Sequence, residues 1–293
     1  MVKIQIYNVV SHVWGTTPYI DSLLDATLSY RSKGYFFAPA YKSGKWDGFN
    51  HLYYAPTPSR QYGKYWTGLF HRVKTLFEAN NIDFEAEDCR TPPDPQKQLS
   101  TVCLGRKYQE LAESAAVNKT RGIIQIPTAG GKTPVAAAIM AHLNQPSIFL
   151  VHRVNLLNQT VKLFEKTLKM PIGVLQGSNR RLERFNVGMV QTLYSVLWSA
   201  SNEDLKKWVY EDCKLLITDE CHHSGSDMWK NVIQQFMGSY YRFGLSATPH
   251  KNEVADGTQD MQIEGLFGRI IYTIPTQDLT EQGHLAKAHV FYV

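Results

Sequence analysis

Gly122-Ile123-Ile124-Gln125-Ile126-Pro127-Thr128-Ala129-Gly130-Gly131-Lys132-Thr133 is the stretch on which the reading of this chain turns. Its first five residues form an apolar run of strand character, and Lys132 through Leu143 reads as a helix rich in Ala, Ile and Met. A loop with adjacent glycines joins the two. Small residues let backbone N–H groups curl round phosphate oxygens, and the helix behind presents its positive N-terminal end to them. In such a loop Thr128, Ala129, Gly130 and Gly131 form the cradle. Lys132 is expected to reach the β- and γ-phosphates of a nucleoside triphosphate, and the Thr133 hydroxyl to ligate magnesium. The strict phosphate-loop pattern has glycine where this chain has Ile126, so the loop is a variant. Taken alone, it also fits an ordinary strand-to-helix turn with a solvated lysine.

Further along, Lys214-Leu215-Leu216-Ile217-Thr218 is a second apolar strand with Asp219 and Glu220 at its carboxyl end. Open parallel sheets bind ligands at that edge, so the strand is expected to set the acids beside the phosphate loop. Asp219 is the expected magnesium partner, directly or through water. Glu220 is expected to orient and deprotonate the attacking water. Cys221, His222 and His223 follow, but no second Cys/His pair stands at zinc spacing, and His222 reads instead as a coupling group. Tyr241-Arg242-Phe243-Gly244-Leu245 is a third strand, ending in Ser246-Ala247-Thr248-Pro249. Pro249 lacks an N–H and holds Thr248 extended, which stops the strand. The Ser246 and Thr248 hydroxyls, beside the acids, can sense a γ-phosphate. Upstream, Gln109 precedes a helix expected from Glu110 to Ala116, and its amide can pair with adenine through one donor and one acceptor. An exposed glutamine at a helix start is the alternative.

These motifs, in this order, resemble the first RecA-like lobe of superfamily-two DExH helicases and translocases over residues 100–275. The resemblance implies ATP and Mg²⁺ as cofactors. It assigns Arg106 and Gln109 to the adenine, Lys132 and Thr133 to triphosphate and metal, and Asp219 and Glu220 to metal and water. It also implies that Ser246 and Thr248 couple hydrolysis to nucleic acid. Phe149-Leu150-Val151-His152-Arg153 and Val187-Gly188-Met189-Val190-Gln191-Thr192 resemble segments that touch the nucleic-acid backbone, which makes Arg153, Gln191 and Thr192 the candidates for phosphate contact. Gly44-Lys45-Trp46-Asp47-Gly48 and Leu266-Phe267-Gly268-Arg269-Ile270 are similar to phage UvsW-type helicases. That narrower resemblance implies action on branched or forked DNA, by unwinding or junction migration, in replication, recombination or repair. A double-strand translocase of restriction or remodelling type, and a non-catalytic module whose ATP site regulates nucleic-acid affinity, are the competing readings.

Alternation of strand and helix after residue 120 predicts an α/β fold, a RecA-like parallel sheet flanked by helices. Strands are expected at 122–126, 147–151, 172–175, 187–190, 214–218 and 241–245, with helices at 132–143 and 154–168. The expected division is a small α+β accessory unit at 1–95, the lobe at 96–280, and at 281–293 the start of a connection to a second lobe. No Gln-x-x-Gly-Arg-x-x-Arg segment occurs, so that second RecA-like lobe is expected to be absent and turnover by this chain weak. Hydrophobic residues make up 43% of 293, enough for one or two domains with cores. The four cysteines, at 89, 103, 213 and 221, suggest neither a metal site nor a disulfide framework, which suits a reducing cytoplasm. No apolar run reaches membrane-spanning length, so no membrane partner is expected, and the chain is read as a monomer. A net charge of +5 permits binding to a polyanion.

Residues 91–97, Thr-Pro-Pro-Asp-Pro-Gln-Lys, read as a linker. Before it, the segment from Arg31 to Lys74 carries Arg31, Lys33, Lys42, Lys45, Arg60, Lys64, Arg72 and Lys74 against a single acid, Asp47. Aromatics from Tyr35 to Phe70 are interleaved with them. Cations pair with phosphates, and aromatic faces stack on unpaired bases. Lys42, Lys45 and Trp46 are the candidate contacts. A small domain also needs large side chains for its core, so burial of the aromatics is the competing reading.

Overall fold

The computed structural model describes residues 1–31, 34–99, 102, 104–249 and 260–283. Lys33 of the basic stretch, Cys103, and residues 284–293 of the expected C-terminal connection lie outside them. In the first part of the chain the elements are β1 (Val2–Ile6), β2 (Val10–Trp14), α1 (Pro18–Thr27), β3 (Ser29–Arg31), α2 (Pro39–Lys42), β4 (Phe49–His51), β5 (Tyr53–Tyr54), β6 (Gly63–Trp66), α3 (Phe70–Ala79) and β7 (Phe84–Asp88). A five-stranded sheet runs β5-β6-β2-β1-β7, and β3 and β4 pair separately. α1 begins where the Thr17 hydroxyl accepts the Ile20 N–H, with Pro18 at the first helical position. Ile4, Val13, Leu24, Tyr65, Val73 and Phe77 are buried in the core.

The aromatic run from Phe49 to Tyr54 reads as one alternating strand, but the structure divides it. Leu52 is buried and its N–H donates to Leu28 O at 2.9 Å. On either side, β4 pairs with β3 while β5 pairs with β6. The aromatics divide as well. Tyr53, Tyr65 and Trp66 are buried, whereas Phe36, Phe37 and Tyr54 are exposed.

The second part contains α4 (Lys107–Lys119), β8 (Arg121–Gln125), α5 (Lys132–Leu143), β9 (Ser147–Val151), α6 (Val154–Leu168), β10 (Gly173–Gln176), β11 (Asn179–Arg181) and β12 (Phe185–Met189). It continues with α7 (Val190–Leu197), α8 (Glu203–Lys207), β13 (Leu215–Thr218), α9 (Asp227–Gln234), β14 (Tyr241–Ser246), α10 (Asp260–Phe267), β15 (Ile270–Thr273) and α11 (Thr276–Glu281). One eight-stranded sheet runs β11-β10-β12-β9-β13-β14-β8-β15. Its neighbours are parallel except for the β10–β11 hairpin, whose turn uses Gly177 at φ +56°. β9, β12 and β13 are buried along their whole length, as expected of strands covered by helices on both faces. α5 is buried from Val135 through Ala141, which explains why it reads as Ala, Ile and Met without a polar stripe.

Two findings concern the junction between the parts. The proline-rich segment is strapped to the larger sheet. Asn144 Nδ2 donates to Lys97 O at 2.8 Å, Gln145 Nε2 to Asp94 O at 2.7 Å, and Leu99 N to Ala141 O at 3.0 Å. The small sheet is also pinned directly. Glu264 on α10 takes Arg72 at 2.6 Å and His71 at 2.7 Å. Burial alone would raise the Glu264 carboxyl, but His71 and Arg72 outweigh it and hold it below the ordinary range. A Cβ at Gly68 would overlap the Glu264 carbonyl oxygen, so only glycine permits this approach. Arg121 Nη2 donates to Asn8 O at 2.6 Å, and Asn8 Nδ2 to Met237 O at 2.9 Å.

Candidate active site

β8, β14 and β13 lie side by side and parallel, so their carboxyl ends open on one edge of the sheet. That edge receives the glycine loop, the Ser246-Ala247-Thr248 turn and the acids. β14 stands between the loop strand and the acid strand, an order that hydropathy cannot reveal. Long side chains bridge the gap. Lys132 Nζ lies 3.0 Å from Glu220 Oε1. Glu220 Oε2 is 3.3 Å from His222 Nδ1 and, at the long limit of 3.5 Å, accepts from Ser246 Oγ. His222 Nδ1 and Ser246 Oγ are 3.0 Å apart, and the Thr248 N–H donates to Ser246 Oγ at 3.1 Å. Gln125 Nε2 donates to Ala247 O at 3.3 Å, closing the circuit back to the loop strand.

Backbone geometry is specialised at the same points. Gly131 has φ +83°, and a Cβ there would overlap Gln109 Nε2. Ala129 at φ 62° and Glu220 at φ 48° adopt the left-handed region without being glycine, a strain that surrounding contacts must hold. The loop is clamped from α4. The Tyr108 hydroxyl donates to Gly130 O at 2.6 Å, and Arg106 Nη1 donates to that hydroxyl oxygen at 2.8 Å. Gln109 is buried, with Nε2 3.3 Å from Gly130 O and 3.4 Å from Gly131 O. Gln109, expected at an adenine edge, thus braces the loop carbonyls, and Tyr108 beside it was not singled out from sequence. Its signal was its place one residue before Gln109. Thr128 and Ala129 are exposed at the loop tip. Helix α4 starts at Lys107, earlier than the expected Glu110.

Asp219 is only 6% exposed, and its Oδ1 is buried with no hydrogen-bond donor. Burial, and then the Glu220 charge, push its carboxyl up to about 6 against the opposing effect of Lys132. An acceptor oxygen without a donor, beside a phosphate-type loop, fits a hard divalent cation. Among the described residues no group of three or more His, Cys, Asp or Glu could hold a metal by itself. A magnesium site that completes its shell with phosphates and waters needs no such group. Cys221 is buried, and burial raises its thiol.

Of the nucleic-acid candidates, Arg153 caps α6 and is exposed, directly after β9. Gln191 on the first turn of α7 donates to His152 O at 3.3 Å, so neighbouring β9 and β12 bring these two together. Thr192 belongs to the helix rather than a strand end. It is buried, and its hydroxyl accepts the Gly177 N–H at 2.9 Å, holding the β10–β11 hairpin. The His152 ring lies 4.9 Å from that of His223, and His223 lies 4.2 Å from His222, a row joining this edge to the acids. Gln191, Tyr194, Ser195 and Trp198 form the exposed face of α7. There Tyr194 and Trp198, 37% and 53% exposed, stack with centroids 4.8 Å apart. Their helical spacing from Gln191 was the available sequence signal. Lys42 and Lys45 are exposed in the small unit, while the Trp46 indole N–H donates to Phe49 O at 2.6 Å. Among the described residues no hydrogen bond or ion pair joins them to Arg153 or Gln191.

Residues 101–251 match the family described as "Type III restriction enzyme, res subunit". The chain is 30% identical over 182 residues to a DNA 3'-5' translocase XPB2 of Sulfurisphaera tokodaii, covering 62% of this chain and 38% of that relative. It is 22% identical over 292 residues to the ATP-dependent DNA helicase uvsW of enterobacteria phage T4, covering 90% of this chain and 54% of that one. A crystal structure of the bacteriophage T4 UvsW helicase superposes with a TM-score of 0.70 at 20% identity, over 92% of this chain and 99% of that chain. A second T4 UvsW structure gives 0.70 at 19% identity, over 92% and 56%. These likenesses show the RecA-like fold. The chain spans 38% and 54% of the length of these two curated relatives. No helix among the described residues is long and apolar enough to cross a membrane.

Proposed function

The chain belongs to the family of the type III restriction enzyme res subunit, with the fold of a superfamily-two helicase N-terminal lobe, and from that premise we propose an ATP-dependent DNA helicase. Its action is on branched DNA, by unwinding or branch migration. The observation that carries this reading is the contact chain Lys132–Glu220–His222–Ser246, set beside the donorless Asp219 oxygen at one sheet edge.

Each residue acts through its own chemistry. Lys132 neutralises charge on the β- and γ-phosphates, while first-turn N–H groups of α5, which lack intrahelical acceptors, receive phosphate oxygens. Glu220, held in its left-handed conformation, orients the attacking water and takes its proton. Asp219 and Thr133 would hold magnesium, which when bound supplies charge neutralisation between the phosphates. Arg106 and Gln109, from the helix that clamps the loop, meet the adenine side. Ser246, tied to both Glu220 and His222, passes the state of the phosphate site to Thr248. Arg153 and Gln191 contact the DNA backbone, and the exposed Tyr194–Trp198 pair offers a face to an unpaired base. Lys42, Lys45 and Trp46 are the proposed contacts of the N-terminal unit.

Calorimetric titration with ATP and Mg²⁺ tests the site. Wild type and E220Q bind, and K132A does not; equal binding by all three would sink the reading. The relative named a translocase at 30% identity favours a second reading, movement on duplex without strand separation. Strand displacement from a fork, run beside triplex displacement, separates the two.

A further inference from the structure

Lys214 immediately precedes β13 and Asp219 immediately follows it, so the surface around Lys214 lies at the opposite edge of the sheet from the proposed ATP site. There a cleft of about 1070 Å³ runs between the small sheet and the larger one. Phe49, Tyr54 and Lys64 line it on one side; Lys214, Asn231 and Gln234 line it on the other. No aspartate or glutamate is among the lining residues. Other cations on the lining are already neutralised: Arg90 pairs with Asp88 at 2.7 Å, Lys230 with Asp227 at 2.6 Å, and His51 with Asp25 and Asp47. Lys64 and Lys214 have no carboxylate partner among the described residues. The Lys64 ammonium stands 5.4 Å from the centroid of the exposed Tyr54 ring, and among the described residues Lys214 Nζ donates to the Glu211 carbonyl. One uncompensated cation therefore projects from each wall.

The walls are held in fixed relation. Glu264 grips Arg72 and His71, and the Gly68 backbone sits against α10 with no room for a side chain. Asn8, itself on the lining, is bonded to Met237 O and to Arg121. A cleft between two pinned elements is preformed, so a ligand does not have to order it first.

The lining selects one chemistry. Aromatic faces take nucleobases, amides offer the paired donor and acceptor that base edges require, and a lysine on each wall suits successive phosphates. No carboxylate lines the cleft, and the nearest ones are paired with His51, Arg90 and Lys230, which limits repulsion of phosphates. A duplex hides its base faces and could not use the aromatics. A small ligand fills about 300–1,000 Å³, so this volume has room for more than one nucleotide. We propose that the cleft between the two sheets holds an unpaired DNA strand, the displaced arm of a branched substrate, while the Arg153–Gln191 edge holds the other arm. The proposal rests on the helicase reading and deepens it, because it gives a structural reason for acting on branches.

The test is photocrosslinking of the 293-residue chain to a ten-nucleotide oligothymidylate carrying 5-iodouracil, with the adducts mapped by mass spectrometry. Adducts at Tyr54 or Phe49 are expected. In anisotropy titrations, Tyr54→Ala, a change at an exposed side chain, should weaken oligonucleotide binding at least about fivefold. Lys64→Ala and Lys214→Ala should each lower the slope of log affinity against log salt by about 0.7. Adducts confined to the Arg153–Gln191 edge, or unchanged slopes, would overturn the proposal. So would suppression of cleft crosslinking by thymidine monophosphate as effective as by unlabelled oligonucleotide, each added before irradiation, which would mark a free-nucleotide site. The wild-type crosslink needs no variant to fold. ATP binding by K132A indistinguishable from wild type would sink the helicase reading and leave the crosslinking result standing.

Discussion

Two buried carboxylates, one in each functional region, are driven in opposite directions. Asp219 at the sheet edge is pushed up to about 6 by burial and by Glu220, and its Oδ1 has no donor. Glu264 at the junction is held below the ordinary glutamate range because His71 and Arg72 outweigh its burial. The first is a carboxylate kept short of partners, as a cation site requires. The second is fully paired, as a structural weld requires. Burial thus says little about the role of a charged group; what matters is whether its partners are supplied from within the fold.

The largest expected effect lies at the edge. In a chain carrying both RecA-like lobes, Glu220→Gln should lower DNA-stimulated ATP hydrolysis by about 10²–10⁴-fold while ATP binding persists, measured by steady-state turnover and calorimetry. Gly68→Ala comes next, because its new Cβ meets the Glu264 backbone rather than a movable side chain. A loss of about 3 kcal/mol is expected in denaturant titration, and an unchanged midpoint would show that the junction is looser than described.

Asp219→Asn sharpens the contrast between the carboxylates. A pKa raised from near 4 to about 6 means the folded state binds the proton more tightly. Ionisation therefore costs stability as pH rises from 4 through 6. The variant should be more stable than wild type by about 3 kcal/mol at pH 8, the difference vanishing below about pH 3. Glu264→Gln should behave oppositely. A lowered carboxyl contributes stability above its unfolded value and loses it as pH falls through the folded one. The variant should lose about 2 kcal/mol at pH 7, with the difference vanishing in strong acid. Parallel pH profiles for the two variants would break the comparison. Trp198→Ala should be the mildest: within about 0.5 kcal/mol in stability, with a loss of about 1 kcal/mol in binding to single-stranded DNA.

Much of the larger sheet was legible in the chain. Helices at 132–143 and 154–168 stand where the periodicity puts them, and the strands at 147–151 and 241–246 differ from expectation by at most a residue. Continuous apolar runs flanked by glycine loops leave little freedom there. Strand ends were harder. The run at 187–190 became a strand ending at Met189 and a helix starting at Val190, which turned the Thr192 hydroxyl inward to Gly177. The strand expected at 172–175 is β10, but its hairpin partner β11 and the edge strand β15 were not expected, since short edge strands carry little pattern. In the small unit, aromatic content was visible but not its division into core and surface. Tyr53 is buried while Tyr54 is exposed because successive residues of β5 point to opposite faces, and Leu52 stands where the chain leaves the β3–β4 pair for the five-stranded sheet.

By itself, the order of residues determined which chemical groups stand at the ends of which strands, because a strand, a glycine turn and a helix are local structures set by neighbouring residues. It could not determine that β14 separates β8 from β13, that Glu264 meets Arg72 across 192 positions, or that Lys64 and Lys214 face one cleft. Those pairings depend on sheet order and on contacts between segments distant in the chain, where burial of complementary surfaces, not local propensity, decides the outcome.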